Sequence, residues 1–211
     1  MKKIFALLAL AASTSFASPL LFDIASVTGA EIVFDGTTGT FSFSPGAGGW
    51  DFEVTNSDEP TMIGFSGNLT GTFTIGAIAA GAAPVTGKGT FSIFDGVNTL
   101  TADMVLVDIF QKGTTVGINT APSINLSNIV YAGTNAGLLE MVSFGNAAIT
   151  ISTQFVPAVS LTTLKTGGAT NSTSYSGSVF TPDLIIPEPG AMALVGFGLL
   201  AVGAMARRRA A

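Results

Sequence analysis

The sequence predicts an all-β fold: an antiparallel β-sandwich, with a jelly roll as one arrangement, preceded by a signal peptide and followed by one membrane-spanning helix. Three observations favour β structure. Glycine is frequent, at 26 of 211 residues, and charged residues make up only 10% of the chain. No stretch has a sustained 3.6-residue apolar period with helix caps. Short segments that alternate apolar and hydroxyl side chains recur instead, as half-buried strands do.

A five-residue pattern of glycine, threonine, phenylalanine, a hydroxyl residue and a large apolar residue occurs three times, at 39–43, 71–75 and 89–93. Each copy places two large apolar side chains on one face of an extended chain and two hydroxyl side chains on the other. The copies begin 32 and 18 residues apart, whereas a solenoid needs a fixed period. We therefore predict three similar strands within one antiparallel fold.

Two Asp-Gly pairs predict tight hairpin turns, because glycine readily adopts the positive φ that such turns require. Asp35-Gly36 follows an apolar segment, and Asp95-Gly96 follows the third copy of the pattern. The second pair predicts a hairpin in which 89–94 lies against about 97–110. In this return strand, Val105 to Val107 are predicted to be buried on both faces, as in the core of a sandwich.

Five further segments are predicted as strands, because they alternate in polarity or are rich in β-branched and aromatic residues. They are Trp50–Thr55, Met62–Ser66, Ile124–Tyr131, Ala147–Phe155 and Ser178–Phe180. The Ala/Gly-rich segment 76–83 is predicted as a loop or a short helix, and 138–141 is too short to assign. Residues from 161 onward are predicted to begin as a strand, and the Thr/Ser-rich 166–178 is predicted as a polar loop.

The N-terminus has the three parts of a secretory signal peptide. Lys2 and Lys3 form a charged region, residues 4–12 are apolar, and Ser15-Phe16-Ala17 is a small-x-small cleavage site. The apolar part is too short for a stable membrane anchor. We predict that residues 1–17 are removed after Ala17 by signal peptidase, and that residues 18–186 cross the membrane through the export translocon as one β-domain.

The C-terminal segment 187–211 combines a short motif, an apolar stretch and a basic end. Pro187-Glu188-Pro189 precedes the uncharged stretch 190–206, which is followed by Arg207-Arg208-Arg209. About 17 residues are the lower limit for a helix that crosses a hydrocarbon core of about 30 Å. A buried core helix would not be uncharged on all faces and end in three arginines. We predict a transmembrane helix at 190–206 whose arginine tail stays in the cytoplasm.

This order of motif, helix and basic cluster resembles the PEP-CTERM sorting signal of exported proteins in Gram-negative bacteria. The resemblance implies that Pro187, Glu188 and Pro189 are recognised by an exosortase, a membrane-embedded sorting enzyme that removes the helix and transfers the protein to the cell surface. It also implies an association with exopolysaccharide, biofilm and the extracellular matrix. Many members have Ser or Thr directly after the motif, whereas this chain has Gly190-Ala191, which leaves the processing site open.

Charge and composition exclude several functions for the exported domain. Five of the eight basic residues lie in the two terminal segments, so residues 18–186 hold three lysines and twelve carboxylates, a formal charge of −9. Such a domain is repelled by nucleic acid and by anionic headgroups. The chain has no histidine and no cysteine, which excludes disulfides, haem ligation by either residue, and Ser-His-Asp or Cys-His catalysis.

A cluster of carboxylates in 51–59 is the candidate metal site. Asp51, Glu53, Asp58 and Glu59 supply the hard oxygen ligands that Ca²⁺ prefers, but their spacing matches no known calcium loop. The alternative is a solvated acidic edge, in which Asp51 and Glu53 face water on a strand that buries Trp50, Phe52 and Val54.

The sequence therefore predicts a non-enzymatic surface or matrix protein, with no catalytic residues and no required cofactor. One alternative is an adhesion module that binds carbohydrate or calcium. Another is an enzyme that acts on polysaccharide through a carboxylate pair, but nothing in the sequence selects one pair among twelve. Aromatic residues for stacking on sugar rings are few outside the phenylalanines: Trp50, Tyr131 and Tyr175.

Overall fold

The computed structural model describes residues 19–112 and 119–182, with the backbone alone at 112 and 119–123. Pro19–Pro182 form one compact unit. The predicted signal peptide and the predicted helix at 190–206 lie outside the described residues. Among the described residues, no helix is long and apolar enough to span a membrane. The described elements are β1 Leu21–Ser26, β2 Glu31–Asp35, β3 Thr40–Ser44, β4 Phe52–Ser57, a 3₁₀ turn Pro60–Met62, β5 Ser66–Ile75, β6 Ala82–Thr86, β7 Lys88–Phe94, β8 Thr99–Lys112, β9 Asn119–Val130, α1 Ala136–Phe144, β10 Asn146–Gln154, α2 Leu161–Thr166, β11 Thr170–Thr173 and β12 Tyr175–Phe180.

Eight of these strands form a closed ring of hydrogen-bonded pairs, all antiparallel. The order around the ring is β4, β1, β12, β10, β9, β8, β7, β5 and back to β4. Strands β3, β2 and β11 extend from β5, and β6 bridges β5 and β8. The predicted antiparallel all-β class is confirmed. The two sheets of the predicted sandwich are not separate in hydrogen bonding, because one network joins all twelve described strands.

Strand β5 can change partners along its length because glycines allow its neighbours to approach closely. Its first half pairs with β4 and β7, and its second half pairs with β3 and β6. A Cβ atom on Gly89 would lie 1.9 Å from the carbonyl oxygen of Thr70, and one on Gly67 would lie 2.2 Å from that of Ser92. Any larger residue at these two positions would separate β5 from β7 and open the ring.

The core is built from alternating apolar residues that point into the structure. In the three copies of the glycine-threonine-phenylalanine pattern, the apolar residues are all buried, so the predicted alternation is confirmed. Phe52 on β4 and Phe91 on β7, the two strands that flank the first half of β5, stack with ring centroids 5.6 Å apart. Strand β8 differs from its prediction: Leu106 is buried, but Val105 and Val107 are exposed, because only one face of this strand meets the core.

Neighbouring strands run in opposite directions, so the connections β4–β5, β7–β8 and β9–β10 lie at the end of the ring where β1 begins and β12 ends. We call this the exit end and the opposite one the far end. The chain enters and leaves the ring side by side: the Leu20 amide donates to Thr181 Oγ1 at 2.8 Å, and the Thr181 amide donates to the Leu20 carbonyl at 3.0 Å.

Helix α1 covers the exit end. Asn135 caps its N-terminus by accepting a hydrogen bond from the Leu138 amide at 3.1 Å, and Gly145 ends it in the left-handed conformation. Leu138 and Met141 are buried in the core. The sequence left this segment unassigned.

Helix α2 corrects the prediction of a strand starting at 161. Ser160 caps it by accepting from the Thr163 amide at 3.0 Å, and Leu161 and Leu164 are buried. Lys165 donates to the carbonyl of Gly76. The predicted polar loop at 166–178 is also wrong, since it contains β11 and most of β12.

One other predicted strand was wrong. The predicted strand Met62–Ser66 is the 3₁₀ turn and the residues after it, because Pro60 favours a turn at that point. Both predicted Asp-Gly hairpins are confirmed, and each has a loop of four residues. In the first, positive φ falls on Gly39 and not on Gly36, and the Asp35 carboxylate accepts from the Thr37 amide and the Thr38 hydroxyl.

Candidate functional site

A shallow polar groove runs across the outer faces of β1, β12 and β10. Its volume is about 220 Å³, and a second depression of about 270 Å³ continues it through Ser152 and Ser176. The inner faces of the same strands bury large apolar residues, which leaves short polar side chains facing outward. The polar side chains that line the groove are Asp23, Thr55, Thr150, Ser152, Ser176 and Ser178.

Strand register arranges these side chains in rows. Thr150 pairs with Ser178, Ser178 with Asp23, and Asp23 with Asn56, so one row crosses four strands. Because neighbouring strands lie about 4.8 Å apart, the row is about 14 Å long. A second row, through Ser152 and Ser176, lies two residues further along the strands.

Among the described residues, Asp23 is the only charged one in the lining of this groove. Its Oδ1 accepts a hydrogen bond from the Ser178 hydroxyl at 2.7 Å, and its Oδ2 accepts one from the side-chain amide of Asn56 at 3.2 Å. Each carboxylate oxygen can accept a further bond, and the neighbouring hydroxyls can both donate and accept. The arrangement therefore suits a ligand with many hydroxyl groups.

The three aromatic residues considered for sugar stacking do not line the first groove. Tyr131 is only 9% exposed: its hydroxyl donates to Asp95 and accepts from the Asn135 amide. Tyr175 is buried, and it contributes to the second depression. Trp50 is half-buried rather than fully buried, and it stacks on Phe94 with ring centroids 5.7 Å apart.

The structure separates the four carboxylates of the predicted calcium site. Asp51 lies just before β4 and Asp58 just after it, which places them about 20 Å apart along an extended strand. Glu53 is exposed on β4, and Glu59 accepts from the Thr61 hydroxyl at the exit end. Within the described residues, all four included, no three carboxylates come together in a group that could hold a metal.

Asp51 is buried, at 2% exposure, rather than facing water as the sequence suggested. Its Oδ2 accepts a hydrogen bond from the Leu69 amide at 2.7 Å. Its Oδ1 is buried without a partner among the described residues. Burial raises the pKa of this carboxyl group, and the bond from the Leu69 amide offsets part of the increase.

Comparison with known proteins bears on the C-terminal segment. The pattern of the PEP-CTERM protein-sorting motif matches residues 186–209, the stretch that holds the proline-glutamate-proline motif, the apolar segment and the arginine tail. The chain carries a PEP-CTERM sorting motif. No curated protein and no solved structure gives a significant match to the chain.

The PEP-CTERM motif indicates an exported protein with a membrane-anchored sorting signal that an exosortase-type membrane enzyme processes. Pro187, Glu188, Pro189 and the three arginines, like the predicted cleavage at Ala17, lie outside the described residues.

The groove residues were not predicted as a site from the sequence. Ser174, Ser176 and Ser178 alternate with Tyr175, Gly177 and Val179, which is a period-2 signal for a strand. The high serine and threonine content of the surrounding segment concealed it. In β1, Asp23 lies between the buried Phe22 and Ile24 in the same alternating way.

Proposed function

We propose that this chain is a non-enzymatic surface or extracellular-matrix protein, exported with a cleaved signal peptide and sorted through its PEP-CTERM segment. The match at 186–209 carries the proposal. The N-terminal charged, apolar and small-residue regions support it independently, because both ends predict one topology in which the β-domain is translocated. The association with exopolysaccharide and biofilm belongs to the proposal and follows from the family resemblance.

Cleavage is tested by intact-mass measurement of the native protein from the membrane and cell-surface fractions of the producing bacterium. We expect the surface form to begin at Ser18 and to end near 187–189. Glu188→Ala is expected to leave the arginine tail attached and the protein in the inner membrane.

The matched control is Asp183→Ala, which removes a carboxylate just before the motif and should be processed normally. If the surface form retains Arg207 to Arg209, the protein is an ordinary single-pass anchored protein and the sorting proposal is wrong. If both variants fail alike, the carboxylate of the motif has no specific role in recognition.

The groove favours a second candidate function, a carbohydrate-binding adhesion module. Two rows of hydroxyl side chains around the Asp23 carboxylate can exchange hydrogen bonds with sugar hydroxyls along about 14 Å. Polysaccharide is also the material that the sorting resemblance associates with such proteins. The groove is shallow, so it suits an extended chain lying across strands better than a small enclosed ligand.

Retention on a column of the organism's own exopolysaccharide tests this function. Asp23→Asn and Thr150→Val should reduce retention about tenfold, because the first replaces an acceptor oxygen of the row by an NH₂ donor and the second removes a hydroxyl group. Asp103→Asn is a matched control. Like Asp23, Asp103 lies on the outer face of a strand, and its carboxylate accepts a hydrogen bond from the side-chain amide of an asparagine, Asn128, at 2.7 Å. Equal effects of the Asp23 and Asp103 changes would reject the groove as the binding site.

Calcium binding by the adhesion module stays a prediction. A thermal melt of the protein with added Ca²⁺ and with EDTA tests it, since a metal that binds only the folded state raises the melting temperature. Identical melts in the two solutions would exclude a stabilising calcium site.

A further inference from the structure

Exposed apolar side chains are concentrated at the exit end. Among the described residues, ten large apolar side chains are exposed, and six of them lie at the ends of strands or in connections on this side. The far end has only Val156 from this set, and the other three lie along β8. The six at the exit end are Leu21, Ile63, Val97, Val130, Leu139 and Phe180.

These residues belong to connections that are held together. The Asn135 side-chain amide donates to the Thr61 hydroxyl at 2.9 Å, which joins the β4–β5 connection to the start of α1. The Tyr131 hydroxyl bonds to Asp95 in the β7–β8 hairpin. These bonds tie together the three connections that carry Ile63, Val97 and Leu139, so these side chains do not lie on separate loops.

The length of chain beyond this surface limits its distance from the membrane. The domain ends at Pro182, and the motif begins at Pro187. Five extended residues span at most about 17 Å, and the eight up to Gly190 span about 28 Å. The interfacial layer on each side of the hydrocarbon core takes about 6 Å of that length. A domain of this size has a diameter of about 40 Å, so it cannot turn freely at that distance.

Charge distinguishes the two ends as well. The three lysines of the domain lie at or beyond the far ends of strands: Lys88 begins β7, Lys112 ends β8, and Lys165 is in α2. The exit end has carboxylates instead, at Asp58, Glu59, Asp95 and Glu140. Contact with lipid at this end must therefore come from apolar side chains and not from attraction to anionic headgroups.

We propose that the exit end is a membrane-contact surface, on which the anchored precursor rests against the lipid interface. The inference depends on the proposed anchoring through 190–206, which supplies a high effective concentration of lipid next to the domain. Weak apolar contacts are then sufficient, because the domain does not have to bind the membrane from solution. The contact would hold the chain between Pro182 and Pro187 near the membrane surface, where a membrane-embedded enzyme can reach the motif.

Site-specific labelling tests the contact. Because the chain has no native cysteine, a thiol-reactive label attaches only at an introduced cysteine. Val97→Cys and Val156→Cys, at 83% and 86% exposure, place a polarity-sensitive fluorophore at the exit end or the far end. The full chain is reconstituted in phosphatidylcholine vesicles with and without brominated lipid. We expect brominated lipid to quench the exit-end probe at least about threefold more than the far-end probe. Adding Ile63→Ser and Leu139→Ser should reduce that difference.

The outcomes separate this inference from the anchoring on which it rests. Vesicle flotation measures anchoring alone, and failure to float would overturn both proposals. If the chain floats but the two probes are quenched equally, or neither is quenched, the membrane-contact surface is rejected while anchoring stands. That result would also follow if the exit end contacts the sorting enzyme rather than lipid. Phosphatidylglycerol vesicles should reduce quenching at 97 at low salt, because the carboxylates of the exit end repel them.

Discussion

Each end of the strand ring has a tyrosine and an aspartate that lie close together, yet the two carboxyl groups respond in opposite ways. At the exit end, the Tyr131 hydroxyl donates to the Asp95 carboxylate, and this bond, with those from the Asn98 and Val97 amides, lowers the pKa of Asp95. At the far end, the Tyr175 hydroxyl donates at 3.1 Å to the main-chain carbonyl of Asp51, not to its carboxylate. Burial then dominates and raises the pKa of Asp51.

The difference shows that residue types alone do not set the electrostatics of a site; the atom that receives the hydrogen bond does. Asp95 lies in a hairpin loop, where its carboxylate accepts amide and hydroxyl hydrogens and stays close to water. Asp51 is buried, and its Oδ1 has no hydrogen-bond partner among the residues that the structure describes. Ionised Asp95 therefore stabilises the fold, whereas the burial of ionised Asp51 costs free energy.

The largest expected effect tests whether α1 is a structural cover for the exit end. Leu138→Ala removes a fully buried side chain and should lower the free energy of unfolding by about 2–5 kcal/mol. Leu139→Ala, one position along the same helix but exposed, should change it by less than about 0.5 kcal/mol. Urea denaturation measures both. Similar values for the two variants would mean that the helix does not pack on the ring as described.

Removing either tyrosine hydroxyl should lower the free energy of unfolding by less than Leu138→Ala does, and by different amounts for the two tyrosines. Tyr131→Phe should lower the free energy of unfolding by about 1–2 kcal/mol near pH 7, because it removes the donor to Asp95 and the acceptor of the Asn135 amide. Tyr175→Phe should cost about 1 kcal/mol, since the Val27 amide still donates to the Asp51 carbonyl.

The pH dependence of these two changes should differ in a defined direction. The folded pKa of Asp95 lies below its ordinary value of 3.8, so its stabilisation is present above that value and is lost as the pH falls through the folded pKa. The cost of Tyr131→Phe should therefore shrink in acid, whereas the cost of Tyr175→Phe should not change. Denaturation at about pH 7 and about pH 3 compares them. A constant cost for Tyr131→Phe would contradict the Asp95 bond.

The parts of this fold that the sequence predicted are those decided by neighbours in the chain. The alternation in 89–94 and in Leu100 to Leu106 assigns each side chain to one face of its strand, and this assignment does not depend on which distant residues pack against that face. The helix α1 was not predicted, because it has only nine residues and carries an apolar residue, Leu139, on its exposed side. Its sequence therefore shows little amphipathic pattern. Only the end of strand β12, Ser178–Phe180, was predicted, because the serines before it, which line the groove, suggest a loop.

The burial of Asp51 depends on contacts that no local pattern contains. Its carboxylate meets the amide of Leu69, 18 residues away, and its carbonyl meets Tyr175, 124 residues away. The groove likewise exists only because β12 lies between β1 and β10, which brings Asp23 to Ser178. The sorting motif is the opposite case, since its motif, apolar length and basic end are all contiguous in the chain.

The smallest expected effect concerns the buried charge at the far end. The folded pKa of Asp51 lies above its unfolded value, so the folded protein binds this proton more tightly than the unfolded chain does. The free energy of unfolding therefore falls as the pH rises from the unfolded pKa to the folded pKa. Asp51→Asn removes the buried charge but keeps an oxygen that can accept from the Leu69 amide. It should raise the free energy of unfolding by about 1 kcal/mol near pH 7, and this gain should vanish below about pH 4. The exposed Asp58→Asn should change little at either pH. A loss of stability in Asp51→Asn near neutrality would mean that the ionised carboxylate has a partner at its second oxygen, and the contrast between the two ends would then fail.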